Sequence, residues 1–182
     1  MFLILQKLKD NETPRDFSFA GLELGGPRTR ILAAHVAYNN TLTCLHLARK
    51  QITDADGVNL ALLLHQNKTL RKLLLEGNQL GPKTAKKLGD GLLVNKYLRY
   101  LDLESNQLTQ DNEDVKGMVV FIEALKKNKT LTSLNVANNK LDQDMGKEFK
   151  QCLEHNMTLI DFEFGFNNFH LNEVRIRNKI DW

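Results

Sequence analysis

The chain has 182 residues, 42% of them hydrophobic and 26% charged, a length and composition that suit one folded domain and exclude disorder as the main state. Its 25 basic and 22 acidic residues nearly cancel, leaving a formal charge of +3, so net charge gives no reason to assign a nucleic-acid partner. Two cysteines, Cys44 and Cys152, are too few for a disulfide framework and make no CxxC motif, which points to a reducing, cytoplasmic setting.

The chain opens with an apolar run, Phe2-Leu3-Ile4-Leu5, that lacks a basic start and is soon followed by charge, unlike a secretory leader. Nowhere does an apolar run approach the ~18 residues of a membrane span. Ile4 and Leu8, with Asn11 and Thr13, read as the helical half of a repeat, or a cap, over residues 1–13.

From there the chain repeats itself. TLTCLHLARKQI from Thr41, TLRKLLLEGNQL from Thr69, YLRYLDLESNQL from Tyr97, TLTSLNVANNKL from Thr130 and TLIDFEFGFNNF from Thr158 share one frame, apolar-x-x-apolar-x-apolar, most with an asparagine after it. Their first apolar positions are Leu42, Leu70, Leu98, Leu131 and Leu159, spaced by 28, 28, 33 and 28 residues. Twenty-eight residues before Leu42 lies Pro14, followed by Phe17 and Phe19 in the frame positions, so TPRDFSFAGLEL is a sixth, degenerate copy. The repeats therefore start at residues 14, 42, 70, 98, 131 and 159, in a single domain over 1–182, and the 33-residue spacing marks an insertion near residues 110–116.

The alternating frame has the period of a strand, and equivalent strands stack about 4.8 Å apart in one parallel sheet. The second half of each repeat carries apolar residues at helical spacing: Val58, Leu60 and Leu64; Leu88 and Leu92; Phe121 and Leu125; Phe149 and Leu153. Helices are wider than strands, so helices on one side and strands on the other bend the stack, with the sheet concave.

This frame resembles the leucine-rich repeat family, and its 28-residue period is similar to the ribonuclease-inhibitor-like subgroup. The resemblance implies an α/β solenoid, a horseshoe with a concave parallel sheet and convex helices. It also implies an asparagine ladder at Asn78, Asn106, Asn139 and Asn167, from which Leu22 and Lys50 depart. Arg177 and Asp181 fall where the last helix should be apolar, so that end is either a cap or is covered by further sequence or a partner. The last repeat, with Phe162, Phe164 and Phe169 in place of leucines, also resembles the terminal repeat of tropomodulin-type actin-capping and of ciliary or flagellar leucine-rich proteins.

Asn-x-Thr recurs at Asn11, Asn39, Asn67, Asn128 and Asn156, formally a glycosylation acceptor. All five fall between helix end and strand start, which reads as a left-handed helix C-cap. Lysines on the helical side, among them Lys83, Lys86, Lys126 and Lys147, alternate with acids and lack interleaved aromatics, the pattern of a solvated face rather than a nucleic-acid groove.

On the sheet face, one column holds Asp16, Cys44, Lys72, Tyr100, Ser133 and Asp161; the next holds Ser18, His46, Leu74, Asp102, Asn135 and Glu163; a third includes Ala20, Glu76, Glu104 and Gly165. Like charges on neighbouring strands repel unless solvated or paired. Lys72, Glu76, Tyr100, Asp102, Glu104, Asp161, Glu163 and Phe166 are the expected partner-binding residues, for a protein with a basic surface. Ser18, His46 and Asp102 do not make a triad, because Leu74 sets His46 and Asp102 about 9.6 Å apart. Cys44 and His46 alone do not make a zinc site. No catalytic, metal or cofactor site is therefore expected. The resulting reading is a non-catalytic scaffold for a protein partner, with a cytoskeletal or ciliary component as one alternative. A Ran-type GTPase-activating protein is another: Arg49 and Lys50 lie in the region where that group carries an arginine loop, without the extended loop itself.

Overall fold

The computed structural model of the chain describes residues 1–19 and 24–171. Ala20, Leu22, Arg177 and Asp181 lie outside them. Helix α1 (Phe2–Asp10) precedes strand β1 (Asp16–Ser18), and then helix and strand alternate: α2 (Pro27–Tyr38), β2 (Cys44–His46), α3 (Asp54–Leu62) with a short 3-10 turn (Leu63–His65), β3 (Lys72–Leu74), α4 (Pro82–Val94), β4 (Tyr100–Asp102), α5 (Lys116–Lys127), β5 (Ser133–Asn135), α6 (Gln143–His155) and β6 (Asp161–Glu163). The strands form one open parallel sheet in the order β1 to β6, the α/β leucine-rich solenoid with its sheet on the concave side.

Register follows the repeat. Leu45 pairs with Leu73, Leu73 with Leu101 and Leu101 with Leu134. Each is the middle residue of its strand and is wholly buried, because a strand turns alternate side chains to opposite faces and the middle one meets the helices. From the helical side Leu60, Leu64, Leu88, Leu92, Phe121, Leu125, Phe149 and Leu153 enter the same core. At the last repeat four phenylalanines do this work: Phe149 and Phe162 have ring centroids 5.0 Å apart, Phe162 and Phe164 5.4 Å, and Phe164 and Phe169 5.5 Å.

A strand of three residues makes few ladder bonds, so the bends on either side of it must find partners elsewhere. One set is the ladder after the strands. Asn78 donates from Nδ2 to the carbonyls of Leu47 and Leu75, both at 2.9 Å, while its Oδ1 accepts from the backbone of Lys50 and Ile52. Asn106 and Asn167 repeat the pattern. Asn139 donates to Leu103, Val136 and Ala137, but its buried Oδ1 has no partner; it faces the copy that carries the insertion.

The second set corrects the reading of the Asn-x-Thr positions. Only Asn11 is left-handed, at φ 59°; Asn39, Asn128 and Asn156 are extended, with φ between −67° and −73°. Extended backbone turns their side chains inward to a second ladder. Asn95, which lacks the threonine, shows it fully: Nδ2 donates to the carbonyls of Leu64 (2.8 Å) and Asn67 (3.2 Å), and Oδ1 accepts from Tyr97 (2.9 Å) and Leu98 (2.8 Å). Asn39, Asn67, Asn128 and Asn156 do likewise and are buried, which leaves their amides inaccessible to a glycosyl group in the folded chain.

Helix starts are shared between repeats as well. Thr53 and Asp56 form a capping box on α3, and Asp56 also accepts from the Gly26 backbone at the start of α2 (3.0 Å). Asp54 accepts from Gly81 (2.9 Å) and Thr84 (2.7 Å) at the start of α4, where a negative charge is favourable. The insertion after β4 contains three successive left-handed residues, Gln110, Asp111 and Asn112, and is tied forward by an Asp111–Lys140 ion pair at 2.9 Å and by Asn112 donating to the Lys140 carbonyl. Beyond it, the Gly117 backbone lies so close to Pro82 that a Cβ would overlap the Pro82 carbonyl.

Asn95→Ala should destabilise the fold by about 2–4 kcal/mol, because three buried backbone groups and one part-buried one lose a partner at once and each unsatisfied buried group costs about 1–3 kcal/mol before relaxation. Urea unfolding read by circular dichroism measures this, with the exposed Lys96→Ala, expected within about 0.5 kcal/mol, as the control.

Candidate functional site

The strand residues flanking each buried middle position point away from the helices. Register places Asp16, Cys44, Lys72, Tyr100, Ser133 and Asp161 side by side, and Ser18, His46, Leu74, Asp102, Asn135 and Glu163 beside them. Beyond the strands the ladder continues, with Arg49 donating to the Glu76 carbonyl and Gly77 to that of Glu104, both at 2.9 Å. Glu76 and Glu104 are thereby neighbours too.

Three carboxylates on this face are held by neutral donors. Ser133 donates to Asp161 at 2.7 Å, Asn135 to Glu104 at 3.0 Å, and the Gly165 backbone to Glu163 at 3.0 Å. Such bonds fix the oxygens without cancelling their charge. Among the described residues, no ion pair involves Glu76, Asp102, Glu104, Asp161 or Glu163. Lys72, Asp161 and Glu163 are exposed, whereas Tyr100, Glu76 and Glu104 are half-buried.

Asp102 departs from expectation: it is only 6% exposed. It accepts from the Tyr100 hydroxyl at 3.2 Å and from the Glu104 backbone at 3.0 Å, so its carboxylate is tied to its neighbours on the sheet. Burial and then the Asp102 charge push the Tyr100 phenol up to about 12, keeping it a neutral donor. Burial, followed by repulsion from Asp102 and Glu104, raises Glu76 above the ordinary carboxylate range.

Phe166 is 91% exposed and left-handed, at φ 57°. It occupies the turn position held by Gly77, Ser105 and Asn138 in other repeats, where a bulky side chain is uncommon. Sequence reasoning found the residue but not its conformation, because φ is set by how the turn closes on the sheet.

At the other end of the sheet, His46 pairs with Asp16 rather than Ser18. Its Nε2 lies 2.8 Å from Asp16 Oδ1 and 3.3 Å from Cys44 Sγ. A nucleophilic triad needs base and orienter on opposite ring nitrogens; here thiol and carboxylate address the same one. Burial and the Asp16 charge raise the Cys44 thiol, the reverse of nucleophile activation. Arg49 is exposed and left-handed at φ 54°. The sequence signal for the Asp16 contact was its place in the Cys44 column, two residues before Ser18.

Glu76→Gln should raise stability at pH 7 by a few tenths of a kcal/mol, solvent screening keeping the effect small. A carboxyl raised by folding binds more protons in the native state. Its contribution is therefore present below the unfolded value near 4.5 and is lost as pH rises through the folded one. The variant's advantage should shrink as thermal unfolding is repeated from pH 7 down to 4.5 and vanish by about pH 3.5.

The family profile described as "Leucine Rich repeat" matches residues 38–61, 66–89, 94–111 and 127–144, four successive strand-and-turn units of the sheet. No curated protein sequence matches the chain. Two solved structures are similar: leiomodin-1 actin-binding site 2, 20% identical with a TM-score of 0.63, covering 84% of this chain and 87% of that one; and the tropomodulin C-terminal domain of Caenorhabditis elegans, 18% identical with a TM-score of 0.69, covering 85% and 92%. At such identities the likeness is one of fold. The matched repeats, the asparagine ladder and the six-stranded open sheet agree: the chain carries leucine-rich repeats and folds as a leucine-rich repeat solenoid.

Proposed function

We propose that the chain, as a single leucine-rich repeat domain, is a non-catalytic platform that binds a basic protein partner through the concave face from β3 to β6. The observation that carries this is the set of carboxylates held by neutral donors and outside any ion pair among the described residues. Glu104, Asp161 and Glu163 are held by neutral donors, and Glu76 lies beside them with its carboxyl raised by burial and by Asp102 and Glu104, which marks a face that gains when a basic surface arrives. Tyr100, Phe166 and the stem of Lys72 supply apolar contact beside these charges, with Asp102 holding Tyr100. Both cysteines are free thiols, in keeping with a cytoplasmic setting, and no helix among the described residues is long and apolar enough to cross a membrane.

A second reading names the partner as actin. It is favoured by the similarity to the leiomodin-1 actin-binding site and by the aromatic terminal repeat, where Phe162, Phe164 and Phe169 pack together and Phe166 is exposed.

Co-sedimentation with filamentous actin, and pull-down of binding proteins from the native source, should be run on the wild-type chain and on Glu76→Lys/Glu104→Lys/Asp161→Lys/Glu163→Lys, both checked by circular dichroism. A partner held by the wild type and weakened at least about tenfold by the folded variant supports the concave face, and actin in that role supports the second reading. A wild-type chain that stays in the supernatant ends the actin reading. Equal capture of one partner by both proteins ends the concave-face reading.

A further inference from the structure

We propose that Asp16, Cys44 and His46 form a zinc(II) site at the β1–β2 end of the sheet. The three residues offer an oxygen, a sulfur and a nitrogen, all within 4.8 Å of one another. Two of the contacts converge on a single atom: His46 Nε2 is 2.8 Å from Asp16 Oδ1 and 3.3 Å from Cys44 Sγ. One ring nitrogen carries at most one proton and cannot serve both neighbours well. A cation placed among the three atoms meets a lone pair from each, which resolves that competition.

The dimensions suit zinc. Its bonds to sulfur, imidazole nitrogen and carboxylate oxygen, about 2.3, 2.0–2.1 and 2.0–2.2 Å, set tetrahedral ligand atoms roughly 3.3–3.6 Å apart. Asp16 and His46 need to part by about half an ångström, and Cys44 Sγ and the Asp16 carboxylate, within 4.8 Å of each other, to draw together by up to about 1.2 Å, both within reach of side-chain rotation. The backbone beneath them is fixed, since Asp16 pairs with Cys44 and Ser18 with His46 in the β1–β2 register. Ligands on adjacent strands are preorganised.

The donor set selects the metal class. A thiolate with an imidazole and one carboxylate favours zinc over calcium or magnesium, which take oxygen ligands in larger number. On binding, the thiol proton leaves to solvent as the S–Zn bond forms, and the thiolate and Asp16 together balance the dication. Lys72, beside Cys44 in the register, is the cation that opposes it, and Glu76 lies on the His46 side. Cys44 is buried, His46 is about one-third exposed and Asp16 two-thirds, so the fourth position faces solvent on the concave side.

The test is titration of the full purified chain, reduced and metal-stripped, with Co²⁺ as a spectroscopic stand-in and Zn²⁺ as competitor. One Co²⁺ per chain is expected, with a near-ultraviolet thiolate-to-cobalt charge-transfer band that Zn²⁺ abolishes. Cys44→Ser should remove the band, His46→Gln should weaken binding at least about a hundredfold and Asp16→Asn about tenfold, while Cys152→Ala should change nothing. The wild-type spectrum decides the matter even if a variant misfolds: absence of the band at saturating Co²⁺ overturns the site. So does a band that survives Cys44→Ser or is lost in Cys152→Ala.

Discussion

The fold depends on side-chain amides that stand in for backbone partners on both sides of three-residue strands. Such strands cannot satisfy the polar groups of the bends that flank them, and a buried backbone group without a partner is costly. Asparagine carries both a donor and an acceptor at the end of a short stem. It can join its own bend to the carbonyl of the preceding repeat, as Asn78 does to Leu47 after the strand and Asn95 to Leu64 before it. Two such columns, one on each side of the sheet, set the spacing that lets the leucines between them meet.

That scaffold determines what the concave face can be. Strands held in register by buried leucines deliver the residues on either side of each leucine to fixed neighbours, so chemistry on this face arises across repeats rather than along the chain. Ser133 meets Asp161 and Asn135 meets Glu104 from one strand to the next. At the far end, Asp16 and His46 meet in the same way. The acidic face and the three-ligand cluster thus occupy opposite ends of one sheet, with Lys72 between them.

The insertion shows how far the pattern bends without breaking. Its extra residues coil through three left-handed positions and are pinned to the following repeat by Asp111, Asn112 and Lys140. The strands on either side still pair in register. The cost is local: Asn139, in the next copy, is left with an unpaired Oδ1.

Repetition made the fold legible. Leu42, Leu70, Leu98, Leu131 and Leu159 fall at one frame position, and a period-two frame in stacked copies has one way to bury its apolar residues, so sheet, register and the columns of the concave face followed from the sequence alone. The asparagines before the strands were equally visible, but their role was not, because left-handed and extended backbone differ in where the amide points and only packing against the preceding repeat chooses between them. Burial of Asp102, the left-handed exposure of Phe166 and the meeting of Asp16 with His46 were likewise decided in the tertiary structure. Spacing along a repeat assigns a residue to a face; how deep it sits and which atoms it reaches depend on the side chains the neighbouring repeats place around it.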